Sequence, residues 1–392
     1  MTARICFIRQ SVYPYELSFR REVETLHRAG YETHVITMRD YRGEHRGRRE
    51  EVIDGVYVHR LPVRRRRGGV SGYLYDYLSF FVLAALKVTA LHLRHPFDAV
   101  QVNTMPDFLV FAAAIPKLLG ARVTVMMQEP VPELWQTLRG APPPPPVRWA
   151  ERAAIAWADH AFTVTQQLKE TYVQRGSRAD KISVILNVPE PRFLSLATDP
   201  PPPPPADRDS FTLICHGAIE ERYGHDTMLE AVARVRPHIP GIRLRILGAG
   251  SYVETFLALR ARLGLEDCVD YLGWVSLERM VQELRAADVG IVAQKSSPYS
   301  NLVHTNKMYE YIALGKPVLA SRLRAVQAYF DENALCYFTP NDPQSLADGI
   351  LALYRDPARR QRLAENAHRL YRRYRWDRQK EVYLSAYRRL LE

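Results

Sequence analysis

Residues Ser300–Ser321 read SNLVHTNKMYEYIALGKPVLAS, and the pattern of this stretch decides the fold. Small polar residues lead into an amphipathic helix. The helix breaks at Gly315-Lys316-Pro317, and an apolar strand, Pro317-Val318-Leu319-Ala320, follows. In an open α/β sheet, ligands bind where loops leave the carboxyl ends of strands and helices begin. A helix N-terminus offers free N–H groups and partial positive charge, which suits a phosphate. Lys307 lies in the first turn of the helix, and Glu310 is three residues further on, so both project from one face. A nucleoside diphosphate asks for that pair: a cation for its phosphates and a carboxylate for its ribose hydroxyls. The same spacing also describes a solvated Lys–Glu pair on an ordinary surface helix, and the local residues do not separate the two.

The flanking sequence repeats the strand–helix alternation of a doubly wound parallel sheet. In the first half, Ala3–Ile8, Thr33–Thr37, Val56–Leu61, Phe97–Val102, Arg122–Met127, Ala161–Val164 and Ile182–Leu186 read as strands. In the second half, Phe211–His216, Arg243–Leu247, Val269–Leu272 and Val289–Val292 do. Helices are expected over Glu16–Ala29, Tyr73–Leu93, Phe108–Leu119, Trp149–Trp157 and Gln166–Arg175, and later over Leu346–Tyr354 and Pro357–Tyr374. No GxGxxG follows the first strand, which argues against a dinucleotide fold. Pro142–Pro146 reads as a stiff loop spacer. The six prolines Pro200–Pro205 cannot join a core and read as a linker. The expected organisation is a first domain over 1–199, a linker over 200–209, a second domain over 210–374 and a terminal helix over 375–392.

A net charge of +11 over 392 residues points to an acidic partner. Arg64–Arg67 is a basic run, and the aromatic, apolar helix Tyr73–Leu93 follows it, a combination that suits an anionic membrane surface. No nucleic-acid-binding module accompanies the run. Lys87 interrupts the longest apolar stretch, so a membrane-spanning helix is not expected. The N-terminal MTARICFIRQ has no long apolar core, so a secretory leader is not expected either. The four cysteines are far apart, with no CxxC pair, which fits a reducing, cytoplasmic setting.

Several segments together resemble the family 4 retaining glycosyltransferases. In the second half these are Gly217, Glu221-Arg222-Tyr223-Gly224, Leu247-Gly248-Ala249-Gly250, Tyr271-Leu272-Gly273-Trp274-Val275, Ala286-Ala287-Asp288-Val289-Gly290 and Asn306–Val318. In the first half they are Tyr13-Pro14 with Arg20 and Glu22, Pro106-Asp107, Pro132-Glu133 and Ala158-Asp159-His160. The resemblance implies the GT-B fold: two facing Rossmann-like domains, with a C-terminal helix that returns to the first. It implies transfer of a hexosyl or N-acetylhexosaminyl group from a nucleotide-sugar, with UDP as the expected nucleotide. The acceptor is expected to be lipid-linked or membrane-proximal, as in surface polysaccharide assembly, with the enzyme cytoplasmic and peripheral at the inner membrane face. A soluble transferase acting on a small-molecule acceptor and a non-catalytic nucleotide-sugar-binding scaffold are the alternatives.

The resemblance assigns Glu310 to the ribose and Lys307 to the Lys-x-x-Glu-Tyr motif of one branch. Arg222 lies in the loop that supplies cations to the diphosphate, so Arg222 and Lys307 are the expected catalytic residues. Gly217, Gly248, His304 and Asn306 are expected at the nucleotide-sugar. Asn103, Asp107, Gln128 and Glu129 are expected on the acceptor or sugar side. Leu302 stands where the family often carries a first glutamate, and the family's Gly-Arg and Lys-Gly pairs are Gly217-Ala218 and Tyr223-Gly224 here. The departing diphosphate needs fixed positive charge. Two cations supply it, and with no His/Cys cluster in the sequence, neither a metal nor a cofactor is expected.

Overall fold

The computed structural model describes residues 2–41, 43–64, 69–196 and 210–392. The expected linker at 200–209 and Arg65–Arg67 of the basic run lie outside the described residues. The chain divides into two compact units, Met1–Leu186 with Asp377–Glu392, and Asn187–Trp376.

The first unit contains strands β1 (Arg4–Arg9), β2 (Glu32–Met38), β3 (Glu50–Ile53), β4 (Val56–Leu61), β5 (Ala99–Asn103), β6 (Arg122–Met127), β7 (His160–Thr163) and β8 (Ile182–Val184). Between them run α1 (Leu17–Arg28), α2 (Gly69–Arg94), α3 (Ala114–Leu118), α4 (Val131–Arg139), α5 (Pro145–Trp157) and α6 (Gln166–Gln174). The sheet order is β3-β4-β2-β1-β5-β6-β7-β8. All neighbours are parallel except β3–β4, a hairpin that turns at Asp54-Gly55, both at positive φ. Its central strands are buried on both faces, as in β5, where all five residues are buried.

Two expectations are corrected in this unit. The segment Phe108–Leu119 is a 3-10 helix over Asp107–Ala113 followed by the short α3. Pro116 lacks the N–H that a continuous α-helix would need at that point. The proline run at 142–146 is only partly a spacer, because Pro145 and Pro146 open α5, where a missing N–H has no intrahelical partner to lose.

Right-handed crossovers fix the layers. The chain moves from β1 to β2 in one direction, and from β4 to β5 and on to β8 in the other. Helix α1 therefore covers one face, while α2, α3, α4, α5 and α6 cover the opposite face. In agreement, the 3-10 helix packs against both α2 and α5.

The second unit holds α7 (Pro191–Leu196) and strands β9 (Phe211–His216), β10 (Ile242–Leu247), β11 (Val269–Gly273), β12 (Val289–Val292), β13 (Val318–Ser321) and β14 (Cys336–Phe338). Its helices are α8 (His225–Val235), α9 (Val253–Arg262), α10 (Leu277–Ala286), α11 (Asn306–Ala313), α12 (Arg324–Gln327), α13 (Pro343–Arg355) and α14 (Pro357–Tyr371). The all-parallel sheet runs β11-β10-β9-β12-β13-β14. Strand order reverses between β9 and β12, and that switch point opens a crevice at the carboxyl ends of the two strands. The opening stretch of the sequence crosses it: α11 follows β12 and precedes β13.

The last helix, α15 (Trp376–Leu391), belongs to the first unit from Asp377 onward. It is held there by Tyr383 and Tyr387, whose hydroxyls both donate to Gln101 Oε1 at 2.6 Å on β5. Both rings pack on Phe162 of β7. Gln101 also donates to Glu22 of α1 at 2.8 Å, so α15 shares the face of α1.

Candidate functional site

The switch point of the second unit gathers the residues singled out by sequence. His216 ends β9, and Gly217 follows with φ 98°. A Cβ on Gly217 would lie 2.9 Å from Lys307 Cε, so only glycine lets the Lys307 side chain cross this point of the backbone. Lys307 Nζ sits 4.4 Å from the centre of the Tyr223 ring, and the Arg222 guanidinium lies 4.9 Å from the same centre. Lys307 is 8% exposed. Neither Lys307 nor Arg222 has an ion-pair partner among the described residues, and Arg222 Nε is buried without a hydrogen bond. The neighbouring cation Lys295 is neutralised by Asp226 at 2.7 Å. Two cations are thus held on one aromatic ring with their charge unanswered.

The ordinary surface-pair reading of Lys307 and Glu310 fails. Lys307 is buried, and Glu310 bonds His216 instead: the imidazole Nε2 lies 2.5 Å from Glu310 Oε2. His216 Nδ1 is 3.0 Å from the Tyr311 hydroxyl, so the carboxylate is aimed by a Tyr–His relay. Helix α11 starts at Asn306, which is half-buried. Gly248, at φ 129°, supports the crevice from behind. A Cβ there would meet Gly217 O at 1.9 Å, and Gly217 N–H donates to Leu247 O at 2.9 Å. The loops after β9 and β10 are therefore packed backbone to backbone.

His304 is enclosed. Its ring packs edge-on against Tyr309 and Tyr329, and Nε2 is 3.2 Å from the Tyr309 hydroxyl. Desolvation pushes its pKa down to about 4, so at neutral pH it adds no positive charge. Its Nδ1 is buried with no hydrogen-bond partner, as is Thr305 Oγ1 beside it. Leu302 is buried, with 9% exposure.

In the first unit, the predicted residues turn inward. Asn103, fully buried at the end of β5, donates to Glu22 Oε2 at 2.6 Å, and Gln128 donates to Glu22 Oε1 at 3.3 Å. Burial raises the Glu22 pKa to about 7, with the Asn103 bond pulling the other way. Glu129 is half-buried on the loop before α4. Asp107 is buried at the start of the 3-10 helix, and desolvation, followed by the charge of Glu151, holds its carboxyl well above the usual range. Glu22 and Tyr223 carry part of the resemblance, but the sequence assigned neither a role: Glu22 is a hydrogen-bonding hub, and Tyr223, which stands where the resemblance leads one to expect a lysine, is the ring under both cations. Among the described residues, no group of three or more His, Cys, Asp or Glu is placed to hold a metal ion.

Comparison with known proteins gives the family. Residues 15–187 match the Glycosyl transferase 4-like domain, and residues 210–356 match Glycosyl transferases group 1. D-inositol 3-phosphate glycosyltransferase of Xylanimonas cellulosilytica is 28% identical over 252 residues, covering 60% of this chain and 58% of that protein. Phosphatidyl-myo-inositol mannosyltransferase of Mycobacterium tuberculosis is 27% identical over 177 residues, covering 43% of this chain and 45% of that protein. The chain therefore spans about half the length of the curated relatives it matches. Among solved structures, sucrose-phosphate synthase from Thermosynechococcus elongatus superposes with a TM-score of 0.79 at 19% identity, covering 99% of both chains. Anabaena HepE in complex with UDP gives 0.70 at 17% identity, covering 98% of this chain and 99% of that one. These likenesses establish the fold, GT-B. With both units matched in sequence and the whole chain matched in fold, the protein belongs to the group 1, family 4 glycosyltransferases.

Proposed function

We propose that this chain transfers a sugar from a nucleotide-sugar, UDP-linked, with retention at the anomeric carbon and without a metal. The observation that carries the reading is the pair of unanswered cations, Lys307 and Arg222, held on Tyr223 beside Gly217. In this reading the diphosphate lies against Gly217 and both cations. The Nδ1 of His304 and Oγ1 of Thr305, buried without partners, support a ligand at the start of α11. Glu310 exchanges its His216 bond for the ribose hydroxyls. The anomeric carbon–phosphate oxygen bond breaks, and the diphosphate gathers charge that the two cations stabilise. The acceptor oxygen bonds the carbon from the same face, and its proton passes to the departing phosphate oxygen. The positive charge a metal would bring is supplied here by side chains.

The acceptor in this reading is membrane-linked, and the enzyme sits peripherally on the cytoplasmic face. Helix α2 supports it. Residues 72–94 are long and apolar enough to cross a membrane by length and composition, which the sequence expectation had denied. Yet Phe80, Ala84 and Val88 are buried, and Lys87 is tied to Glu50 of β3 at 2.5 Å. Those contacts favour lying on a bilayer over spanning one. The opposite stripe, Leu74, Leu78, Val82, Leu86 and Leu93, is exposed, with Leu86 64% exposed. Arg64, just before the helix, is exposed too. The four cysteines are buried free thiols, in keeping with a reducing compartment.

The test is release of UDP or GDP from a panel of nucleotide-sugars, with vesicle-borne lipid acceptors and with soluble inositol phosphates, followed by NMR of the product's anomeric configuration. Transfer to lipid from a UDP-sugar, unaffected by EDTA, is expected. Transfer only to soluble acceptors replaces the membrane part. Donor binding without transfer or hydrolysis supports the scaffold reading that the buried, apolar Leu302 invites.

A further inference from the structure

The layer of the first unit that carries α2 holds a second feature the reaction does not use. A cavity of about 830 Å³ lies along α5, bounded by the turn after α6 at Gly176–Arg178. Arg148, Arg152, Arg178 and Lys181 line it, and no carboxylate does. Nearby acids are already committed: Glu151 and Glu133 to Arg175, and Asp159 to Lys117. Arg178 meets Asp180 at 2.6 Å, but Arg148 and Arg152 have no ion-pair partner among the described residues. Lys181 Nζ donates to the Ala156 carbonyl at 2.6 Å, which fixes it against the wall of α5. Apart from Ser177 and Gly176, the rest of the wall is apolar, with Trp149 67% exposed beside Ala153.

Arg148 and Arg152 are exposed, and beside an apolar wall they suit a ligand that is anionic at one end and apolar at the other. A free phosphate would leave the apolar wall wet, and an uncharged lipid would leave the cations unanswered. The same helix layer exposes Ile115, Leu118 and Leu119 of α3 and Leu138 of α4, as well as the α2 stripe. We infer that the cavity along α5 binds the phosphate-bearing headgroup of an anionic phospholipid, its phosphate on Arg148 and Arg152 and its first methylenes against Trp149. This rests on the membrane-docking reading of α2. It adds a stoichiometric headgroup site to a non-specific apolar contact.

The test uses the full-length protein and calorimetric titration with dihexanoyl-phosphatidylglycerol below its micelle concentration, against dihexanoyl-phosphatidylcholine and inorganic phosphate. Binding of the glycerol lipid at one site is expected. It should weaken about 10-fold or more in Arg148→Ser/Arg152→Ser and be reduced in Trp149→Ala, with melting temperatures confirming that both variants fold. Equal affinity in wild type and the double variant overturns the inference. So does inorganic phosphate binding as tightly as the lipid, which would mark a free-anion site, or phosphatidylcholine binding as tightly as phosphatidylglycerol. Leu78→Ser/Leu86→Ser keeps the two readings apart. It should lose sedimentation with phosphatidylglycerol vesicles while still binding the short-chain lipid. Vesicle binding through α2 with no short-chain binding in wild type would overturn the headgroup site alone. Short-chain binding with no vesicle sedimentation would overturn the docking reading alone.

Discussion

The two units place polar residues at equivalent ends of their sheets and treat them in opposite ways. At the β9/β12 switch point, Lys307 and Arg222 are packed on an aromatic ring without a counter-charge. At the carboxyl ends of β5 and β6, Asn103 and Gln128 are spent on Glu22, and Gln101 links that carboxyl to α15. Buried polar groups are normally satisfied, and a charge left unanswered is costly unless a ligand answers it. The first arrangement leaves charge for a ligand to answer, and the second joins α1, β5 and α15 through a carboxyl satisfied within the protein.

The largest effect expected from breaking this contrast is at Lys307. Lys307→Ala should lower turnover by about 10²–10³, while Lys307→Arg retains part of it, measured as initial rates of UDP release. Unchanged rates would return Lys307 to packing.

At the joint, Glu22→Gln should change stability and leave the cations alone. The folded-state pKa of Glu22 is raised from 4.5 to about 7. The folded protein therefore holds the proton where the unfolded chain has released it. Its contribution is fully present below pH 4.5 and is lost as pH rises through 7. The shift corresponds to about 3 kcal/mol. Denaturant midpoints between pH 5 and 8 should fall in the wild type and stay flatter in the variant. Parallel curves would mean that Glu22 is ionised throughout.

Glu310→Ala should weaken UDP binding by about 10–100-fold, the worth of a hydrogen bond to a charged acceptor. Calorimetric titration reads it directly, and an unaltered Kd would leave the carboxylate to His216 alone. Gly217→Ala is the smallest and sharpest probe. The new methyl meets Lys307 Cε at 2.9 Å, and φ 98° strains any side chain. A cost of about 1–2 kcal/mol in stability is expected, with a loss of turnover that follows displacement of Lys307. Loss of stability without loss of turnover would separate the glycine from the site.

Much of the fold was legible. Apolar runs gave the parallel strands, and Gly30 and Gly315 closed their helices as left-handed residues do. Strand β4 of the edge hairpin was legible in its alternation, but β3 was overlooked although Asp54-Gly55 announced the turn, because β3 is short and charged, with Glu50 and Glu51 at its start. The short strand β14 is a three-residue element that no periodicity can reveal. At the site, the Lys307–Glu310 spacing was visible, and the contact of Lys307 with Tyr223 was not. These residues are 84 positions apart, from Tyr223 to Lys307, and only the β9–β12 pairing brings their loops together.

The sequence by itself determined two runs of strand–helix alternation, a helix with a cation and a carboxylate on one face, and the glycines that let loops approach closely. Those follow from local periodicity and backbone sterics. Only the tertiary structure decided that Glu310 pairs with His216 instead of Lys307, that His304 is neutral inside a tyrosine cage, and that Asn103 serves a buried carboxyl. Burial and partner choice depend on which elements a fold brings side by side. Side-chain charge is written in the chain, but whether it is answered is settled only by its neighbours in space.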